Sequence, residues 1–265
     1  MLDVAGVRGR QPLTYRAASL QLMLEGGLVA AVLVIAIMGT QLPRSLIVGR
    51  VAPGGVLIAL FWVVGIWLLG KARRDLPWHE NGRAPGSQSD PAGHARRKKD
   101  SAAQAKHRST GSAAAIFAVA AAVTLAGGVV LEESGTHIAD KIGMSGVLFG
   151  STVLAASTSI PEVSTGLASV KLRDYGMAIS DIFGGNAFLP VLFLLASLLS
   201  GTAVLPRAQA TDIYLAALGV LLTVVYMWGL VFRSSRKVLR MGIDSLVVLS
   251  LYALGIAGLI AVANG

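Results

Sequence analysis

Seven stretches of this chain, at about residues 18–39, 54–70, 112–131, 144–170, 176–200, 212–232 and 243–263, approach or pass twenty predominantly apolar residues. A hydrocarbon core about 30 Å thick takes roughly 20 residues of helix to cross. Lipid offers no partner to an unpaired backbone amide, so stretches of this kind span as helices. The composition agrees, at 54% hydrophobic and 14% charged residues, and excludes an ordinary water-soluble enzyme. The expected fold is an all-α integral membrane protein of about seven transmembrane helices. With no Cys in the chain, a disulfide framework, a thiolate nucleophile and a Cys-based metal site are excluded as well.

Charge sets an orientation. The 23 Lys and Arg outnumber 14 Asp and Glu, and they lie between the apolar runs, which reads as a basic membrane protein with no nucleic-acid partner. Ten of them fall in the loop 71–111, including Arg96-Arg97-Lys98-Lys99, and this loop is expected on the cytoplasmic side. Alternating outward from it places the N-terminal tail (Arg8, Arg10, Arg16), the turn with Lys171 and Arg173, and the loop with Arg233, Arg236, Lys237 and Arg240 on the same side. Nineteen basic residues are then inside and four (Arg44, Arg50, Lys141, Arg207) outside, with the N-terminus cytoplasmic and the C-terminus external. The first apolar stretch lacks a small-residue cleavage site and is expected to be a retained helix. Three regions follow: a two-helix membrane segment, 1–70; a basic flexible linker, 71–111; and a five-helix block, 112–265. The bilayer is the first partner, most simply a cell or inner membrane, with the basic run of the linker near anionic lipid.

Two apolar stretches are interrupted by polar residues, each of which needs a reason, since a charge at the centre of a span costs about 2.5 to 3.5 kcal/mol on insertion scales. The fourth stretch reads Gly150-Ser-Thr-Val-Leu-Ala-Ala-Ser-Thr-Ser-Ile-Pro-Glu162. Pro161 has no amide hydrogen and collides with the preceding turn, so a continuous helix is not expected, and carbonyls near Ser157 and Thr158 become candidate cation ligands. Ala155, Thr158 or Ser159, and Glu162 follow helical spacing along one face. The fifth stretch carries Asp181-Ile-Phe-Gly184-Gly185-Asn186, in which Asp181, Gly184 and Gly185 share a face and the glycines allow the backbone to loosen or a neighbour to approach. Glu162 lies nine residues before Lys171 and Asp181 eight after Arg173, about 12 to 14 Å from the turn at 1.5 Å per residue. Both acids therefore sit near the midplane, where broken helices and acids mark ion sites in secondary transporters. Carboxylate, amide and carbonyl oxygens suit hard cations such as Ca²⁺ and Na⁺. Ser151, Thr152, Ser164 and Thr165 are read as helix-packing hydroxyls.

Ala155-Ala-Ser-Thr-Ser-Ile-Pro-Glu162, followed 19 residues later by Asp181-Ile-Phe-Gly-Gly-Asn186-Ala-Phe188, resembles an α-repeat of the cation/calcium antiporter superfamily, specifically the sodium/calcium exchanger membrane domain. The family pattern is near Gly-Thr-Ser-Leu-Pro-Glu, then Gly-Asn-x-x-Gly-Ser-Asn-x-x-Asn. The resemblance covers about 112–263 as the second five-helix half, with its α-repeat at about 144–200, and less specifically 16–70 as the last two helices of the first half. It implies two inverted repeats meeting at the midplane and exchanging Ca²⁺ or a related cation for Na⁺ or H⁺ by alternating access, with no prosthetic cofactor. Carried over, Glu162 is the central carboxylate ligand, Thr158 and Ser159 give backbone or hydroxyl oxygens, Ala155 gives a carbonyl, and Asn186 and Asp181 complete the metal-binding set. The departures are Ser157 in place of Gly, Asp181 in place of Asn, Gly185 in place of the ligand Ser, and Leu189 in place of a second polar ligand. A site selective for protons or sodium is the alternative they raise. Nothing before residue 112 carries a Pro-Glu or Gly-Ser-Asn motif, so a half-transporter is expected whose second α-repeat comes from a longer reading of the chain, a second polypeptide, or an inverted second copy. The basic-residue asymmetry argues against the inverted copy.

Two rival readings remain. Gly143-Met-Ser145-Gly146 has the Gly-x-Ser-Gly form of rhomboid-type intramembrane serine proteases, a chemistry that needs a histidine within reach of the serine; His79, His94, His107 and His137 are all expected outside the spans, so the chain is read as no enzyme. A non-transporting membrane subunit, or a degenerate exchanger half that binds a cation without coupled flux, is the second. Glu25, Asp212 and Asp244 lie near span ends, where contact with headgroups explains them.

Overall fold

A computed structural model describes residues 2, 11–72 and 110–264; most of the expected linker, with His79, His94 and His107, and the basic residues Arg8 and Arg10 lie outside the described residues. Among the described residues, six helices are long and apolar enough to cross a membrane. The seventh apolar stretch, 144–170, is broken into short pieces. The elements are α1 (Leu13–Ala17), α2 (Leu20–Thr40), α3 (Pro53–Ala72), α4 (Thr110–Ile142), α5 (Gly146–Phe149), a π-helical turn (Gly150–Leu154), α6 (Ala155–Thr158), α7 (Ile160–Lys171), α8 (Tyr175–Phe188), a 3₁₀ turn (Leu189–Val191), α9 (Leu192–Ser200), α10 (Ala210–Phe232), β1 (Lys237–Val238), β2 (Met241–Gly242) and α11 (Ile243–Asn264). They form two compact units, one of residues 1–86 with 159–265 and one of residues 87–158.

The larger unit is built around α2. Leu22, Glu25, Gly26, Leu28, Val29, Val32, Ala36 and Gly39 are its buried positions, a helical spacing that turns one face inward, and this face meets α3, α8 and α10. Val29, Val32, Ile58 and Ile179 form the most buried part of the core. The hairpin α2–α3 has a counterpart in α10–α11. The connection in each contains a two-residue turn closed by an antiparallel bridge, Val48 with Val51 in one and Val238 with Met241 in the other. Gly49, Leu239 and Arg240 take positive φ in these turns, the conformation that matches the twist of a tight hairpin. In each hairpin the first helix presents a glycine at the crossing: a Cβ on Gly39 would meet Gly54 Cα at 3.1 Å, and one on Gly229 would meet Asp244 Cβ at 2.6 Å.

The two hairpins run in opposite directions. Arg233, at the end of α10, donates from Nη2 to the Tyr15 carbonyl at 3.1 Å, just before α2 begins. Leu205, just before α10, packs on Gly39 near the end of α2. Arg16 Nη1 donates to the Tyr175 hydroxyl at 2.8 Å, tying the same end to the start of α8. Tyr15 and Arg16, the start of α8 and the end of α10 therefore lie at one end of the helix bundle. Lengthwise inversion of paired helices is the architecture of inverted-repeat transporters.

In the smaller unit α4 extends to Ile142, beyond the expected end at 131. Glu132, Glu133, Ala139, Asp140 and Lys141 continue the helix because most are good helix formers and none is Pro. His137, expected outside the spans, consequently lies within this helix. Ser145 caps α5 by accepting from the Leu148 amide at 3.4 Å, a structural use of the Gly-x-Ser-Gly motif.

Since the Gly229 position has no room for a side chain, Gly229→Val is expected to cost about 1 to 3 kcal/mol through overpacking, read as a lowered unfolding temperature in detergent. Gly128→Ala, where a Cβ meets nothing within 4 Å, is expected to leave it unchanged or raise it.

Candidate cation site

The helix interruption falls at Ser159, two residues before Pro161. Ser159 leaves the helix with φ −85° and ψ −1°, and Pro161 occupies the first turn of α7, where its missing amide costs nothing because that donor has no intrahelical partner. The turn places Glu162 in the first turn of α7, where the helix dipole favours a negative charge. Before the break, hydroxyls bond back to their own helix: Ser157 to the Val153 carbonyl at 2.9 Å, and Thr158 to the Leu154 carbonyl at 3.0 Å and that of Ala155 at 3.2 Å. Such back-bonding weakens and bends helices, and the adjoining π-turn, Gly150–Leu154, is a feature often found at functional sites.

A tight turn joins α7 to α8. Arg173 adopts φ 63°, the Asp174 amide donates to the Ser169 carbonyl at 2.9 Å, and the Asp174 carboxylate caps α8 by accepting from the Met177 amide at 3.0 Å. Both acids are therefore carried on helix from the same turn, as the count of rise assumes. Thr165 Oγ1 donates to Asp181 Oδ2 at 2.6 Å and lies 3.1 Å from the Glu162 carbonyl. This contact fixes the Asp181 carboxylate against the turn of α7 that follows Glu162.

Ser159, Glu162, Asp181 and Asn186 line one cavity of about 410 Å³ in the larger unit. Tyr226 and Ser245, from α10 and α11, border it too. Glu162 and Asp181 are exposed to it, whereas the opposite face of α8, with Ala178, Ile179, Phe183 and Ala187, is buried. Two carboxylates on a largely apolar wall, with no Lys or Arg among the described lining residues, suit a divalent cation. Ala155 and Thr158 belong to the smaller unit, where the hydrogen bonds given above engage them. Gly185 and Leu189 face the cavity without offering a side-chain oxygen. Sequence reasoning read Thr165 as a helix-packing hydroxyl and passed over Tyr226 and Ser245. Thr165 stands one turn after Glu162 on the same face, a spacing that points to the same site.

The glycine pair behaves differently from expectation. The helix continues through Gly184 and Gly185 and breaks only at Leu189–Val191, next to Pro190. Among the described residues no atom outside the helix's own backbone lies within 4 Å of a Cβ built on either glycine, so the pair neither loosens the backbone nor admits a described neighbour. Gly185 leaves space in the cavity of Glu162 and Asp181, while Gly184 leaves space in a second cavity across α8. Asp181 thus shares its cavity with Gly185 and not with Gly184.

Comparison with known proteins now bears on this geometry. The family model described as sodium/calcium exchanger protein matches residues 112–261, more than half of the chain. CaxA of Alkalimonas amylolytica is 34% identical over 85 residues, 32% of this chain and 25% of that protein. Sodium/potassium/calcium exchanger 1 of Homo sapiens is 37% identical over 75 residues, 26% of this chain and 7% of that protein. The inner membrane protein YrbG of Escherichia coli is 28% identical over 97 residues, 36% of this chain and 30% of that protein. The chain therefore spans less than a third of the length of each of these relatives. No solved structure matches it.

Because both helical glycines face open space, Gly184→Ala and Gly185→Ala are each expected to keep the fold and to raise stability by up to about 1 kcal/mol through helix propensity. Thermal unfolding of the purified variants measures this.

Proposed function

The chain belongs to the sodium/calcium exchanger protein family, a family of multi-pass membrane transporters, and on that premise we propose that it carries the cation site of a secondary antiporter. The exchange is of Ca²⁺, or a related cation, for Na⁺ or H⁺ by alternating access. The single observation that supports this reading is the convergence of Glu162, Asp181, Asn186 and Ser159 on one cavity flanked by spanning helices.

Glu162 supplies the central carboxylate from a helix N-terminus, and Asp181, held by Thr165, supplies the second charge. Asn186 adds an amide oxygen and Ser159 a hydroxyl or carbonyl. Ala155 and Thr158 join the ligand set on the sequence pattern alone. Asp181 restores one of the oxygens that Gly185 and Leu189 withhold, which favours a divalent ion over a proton. Selectivity comes from the number and charge of hard oxygens, and desolvation by the apolar wall strengthens each of them.

One α-repeat provides half of an inverted-repeat site. The other half is assigned to a second α-repeat, in the same polypeptide or in a partner chain. The basic turns share the cytoplasmic side, with the C-terminus external, in a cell or inner membrane. A second reading, a cation-binding subunit without coupled flux, is favoured by one observation: Gly185 and Leu189 bring no oxygen to the cavity.

Uptake of ⁴⁵Ca²⁺ into proteoliposomes under an outward Na⁺ gradient, and then an outward H⁺ gradient, tests the proposal. Gradient-dependent uptake is expected when a second α-repeat is present, with a fall of at least tenfold in Glu162→Gln. Ca²⁺-dependent stabilisation with no uptake under either gradient, with a second α-repeat present, contradicts transport and supports the binding subunit.

A further inference from the structure

The hydroxyl of Thr165 reaches Asp181 from one turn after Glu162 on α7. It has one proton to donate and two oxygens in reach, Asp181 Oδ2 at 2.6 Å and the Glu162 carbonyl at 3.1 Å. The carboxylate is the nearer and the stronger acceptor, and the shorter contact falls in the range of a charge-assisted O–H···O⁻ bond, about 2.5–2.7 Å. The proton therefore rests against Oδ2. The turn between α7 and α8 sets this contact, since the Asp174 amide closes it on the Ser169 carbonyl and the Asp174 carboxylate holds the Met177 amide at the start of α8.

A carboxylate ligates a divalent cation through one oxygen or through both, and the second oxygen raises the coordination number. Ca²⁺ takes about six to eight oxygens in flexible geometry, whereas the smaller Mg²⁺ demands a near-octahedral shell at shorter distances. Bidentate carboxylates thus suit larger ions, and monodentate ones smaller ions. A hydroxyl proton held against Oδ2 repels a cation from that oxygen and keeps the carboxylate from turning both oxygens toward an ion, so Oδ1 is the oxygen that Asp181 offers. Gly185 and Leu189 border the same cavity and bring no side-chain oxygen to it, which gives weight to one oxygen more or less at Asp181. We propose that Thr165 is a positioning residue that sets the size selectivity of the site: by holding Asp181 to one ligating oxygen, it favours smaller divalent cations such as Mn²⁺ over larger ones such as Sr²⁺. This role presupposes the divalent-cation site of Glu162 and Asp181 proposed above.

Displacement of bound ⁴⁵Ca²⁺ by Mn²⁺ and by Sr²⁺, measured on the purified full chain in detergent at fixed pH and ionic strength, gives the ratio of the two affinities. Loss of the hydroxyl in Thr165→Val is expected to move that ratio severalfold toward Sr²⁺, and Thr165→Ser, which keeps the hydroxyl, to hold the wild-type ratio. An amide has a single oxygen to offer, so adding Thr165→Val to Asp181→Asn is expected to leave the ratio where Asp181→Asn alone puts it. A role in packing alone would not depend on Asp181 in this way. Should Thr165→Val fail to fold, Thr165→Ala repeats the test. A ratio unchanged when the hydroxyl is removed, a ratio shifted as far in Thr165→Ser as in Thr165→Val, or a shift that persists in the Asp181→Asn background would each overturn the role of Thr165 and leave the site standing. No bound ⁴⁵Ca²⁺ in the wild type, or binding unchanged in Glu162→Gln, would overturn the site itself and the role of Thr165 with it.

Discussion

A carboxylate inside a bilayer loses the water that stabilises its charge, and something in the protein or a bound ion has to take the place of that water. Three features of the larger unit follow from this requirement. Glu162 lies in the first turn of a helix, where the helix dipole favours its charge. Asp181 takes a hydrogen bond from Thr165 on the neighbouring helix. Glu25 turns into the bundle, where Gln21 reaches it. Asp181 and Glu25 are thereby held by neighbouring side chains, and Glu162 and Asp181 open onto one cavity.

Helix α8 divides this cavity from the second one across it. Its glycine pair is the reason that a single helix can border both, because Gly184 opens one side and Gly185 the other without distorting the backbone. The scaffold that fixes α8 is the crossing of two inverted hairpins, α2–α3 and α10–α11, each pinched at a glycine. Reciprocal contacts of Arg16 with Tyr175 and Arg233 with Tyr15 lock one end of that scaffold, and their rings lie 5.2 Å from the guanidinium carbons, within range of a cation–π attraction. Packing through small residues is how helices associate where the hydrophobic effect is absent.

The spans were legible because lipid demands long apolar helices, and the interruption near Pro161 was legible because proline cannot sustain one. The Pro-Glu motif and the Asp181 segment named the family, which the match over residues 112–261 bears out. Composition gave less warning of the long α4, since the charged residues Glu132 to Lys141 look like a loop yet have high helix propensity. Thr165 was hidden because a hydroxyl in an apolar helix packs more often than it positions a carboxylate. The opposed roles of Gly184 and Gly185 depend on which side of α8 is empty, and helical spacing alone puts both beside Asp181. Inversion of the two hairpins emerges only from contacts distant in sequence, such as Leu205 on Gly39.

Equilibrium binding of ⁴⁵Ca²⁺ to the purified chain, compared with Glu162→Gln, Asp181→Asn and Glu25→Gln, is the most direct measurement of the central claim that two acids on α7 and α8 form one divalent-cation site. Binding that is lost in Glu162→Gln, weakened at least tenfold in Asp181→Asn and kept in Glu25→Gln is the predicted result. Binding that survives unchanged in both Glu162→Gln and Asp181→Asn would contradict the account.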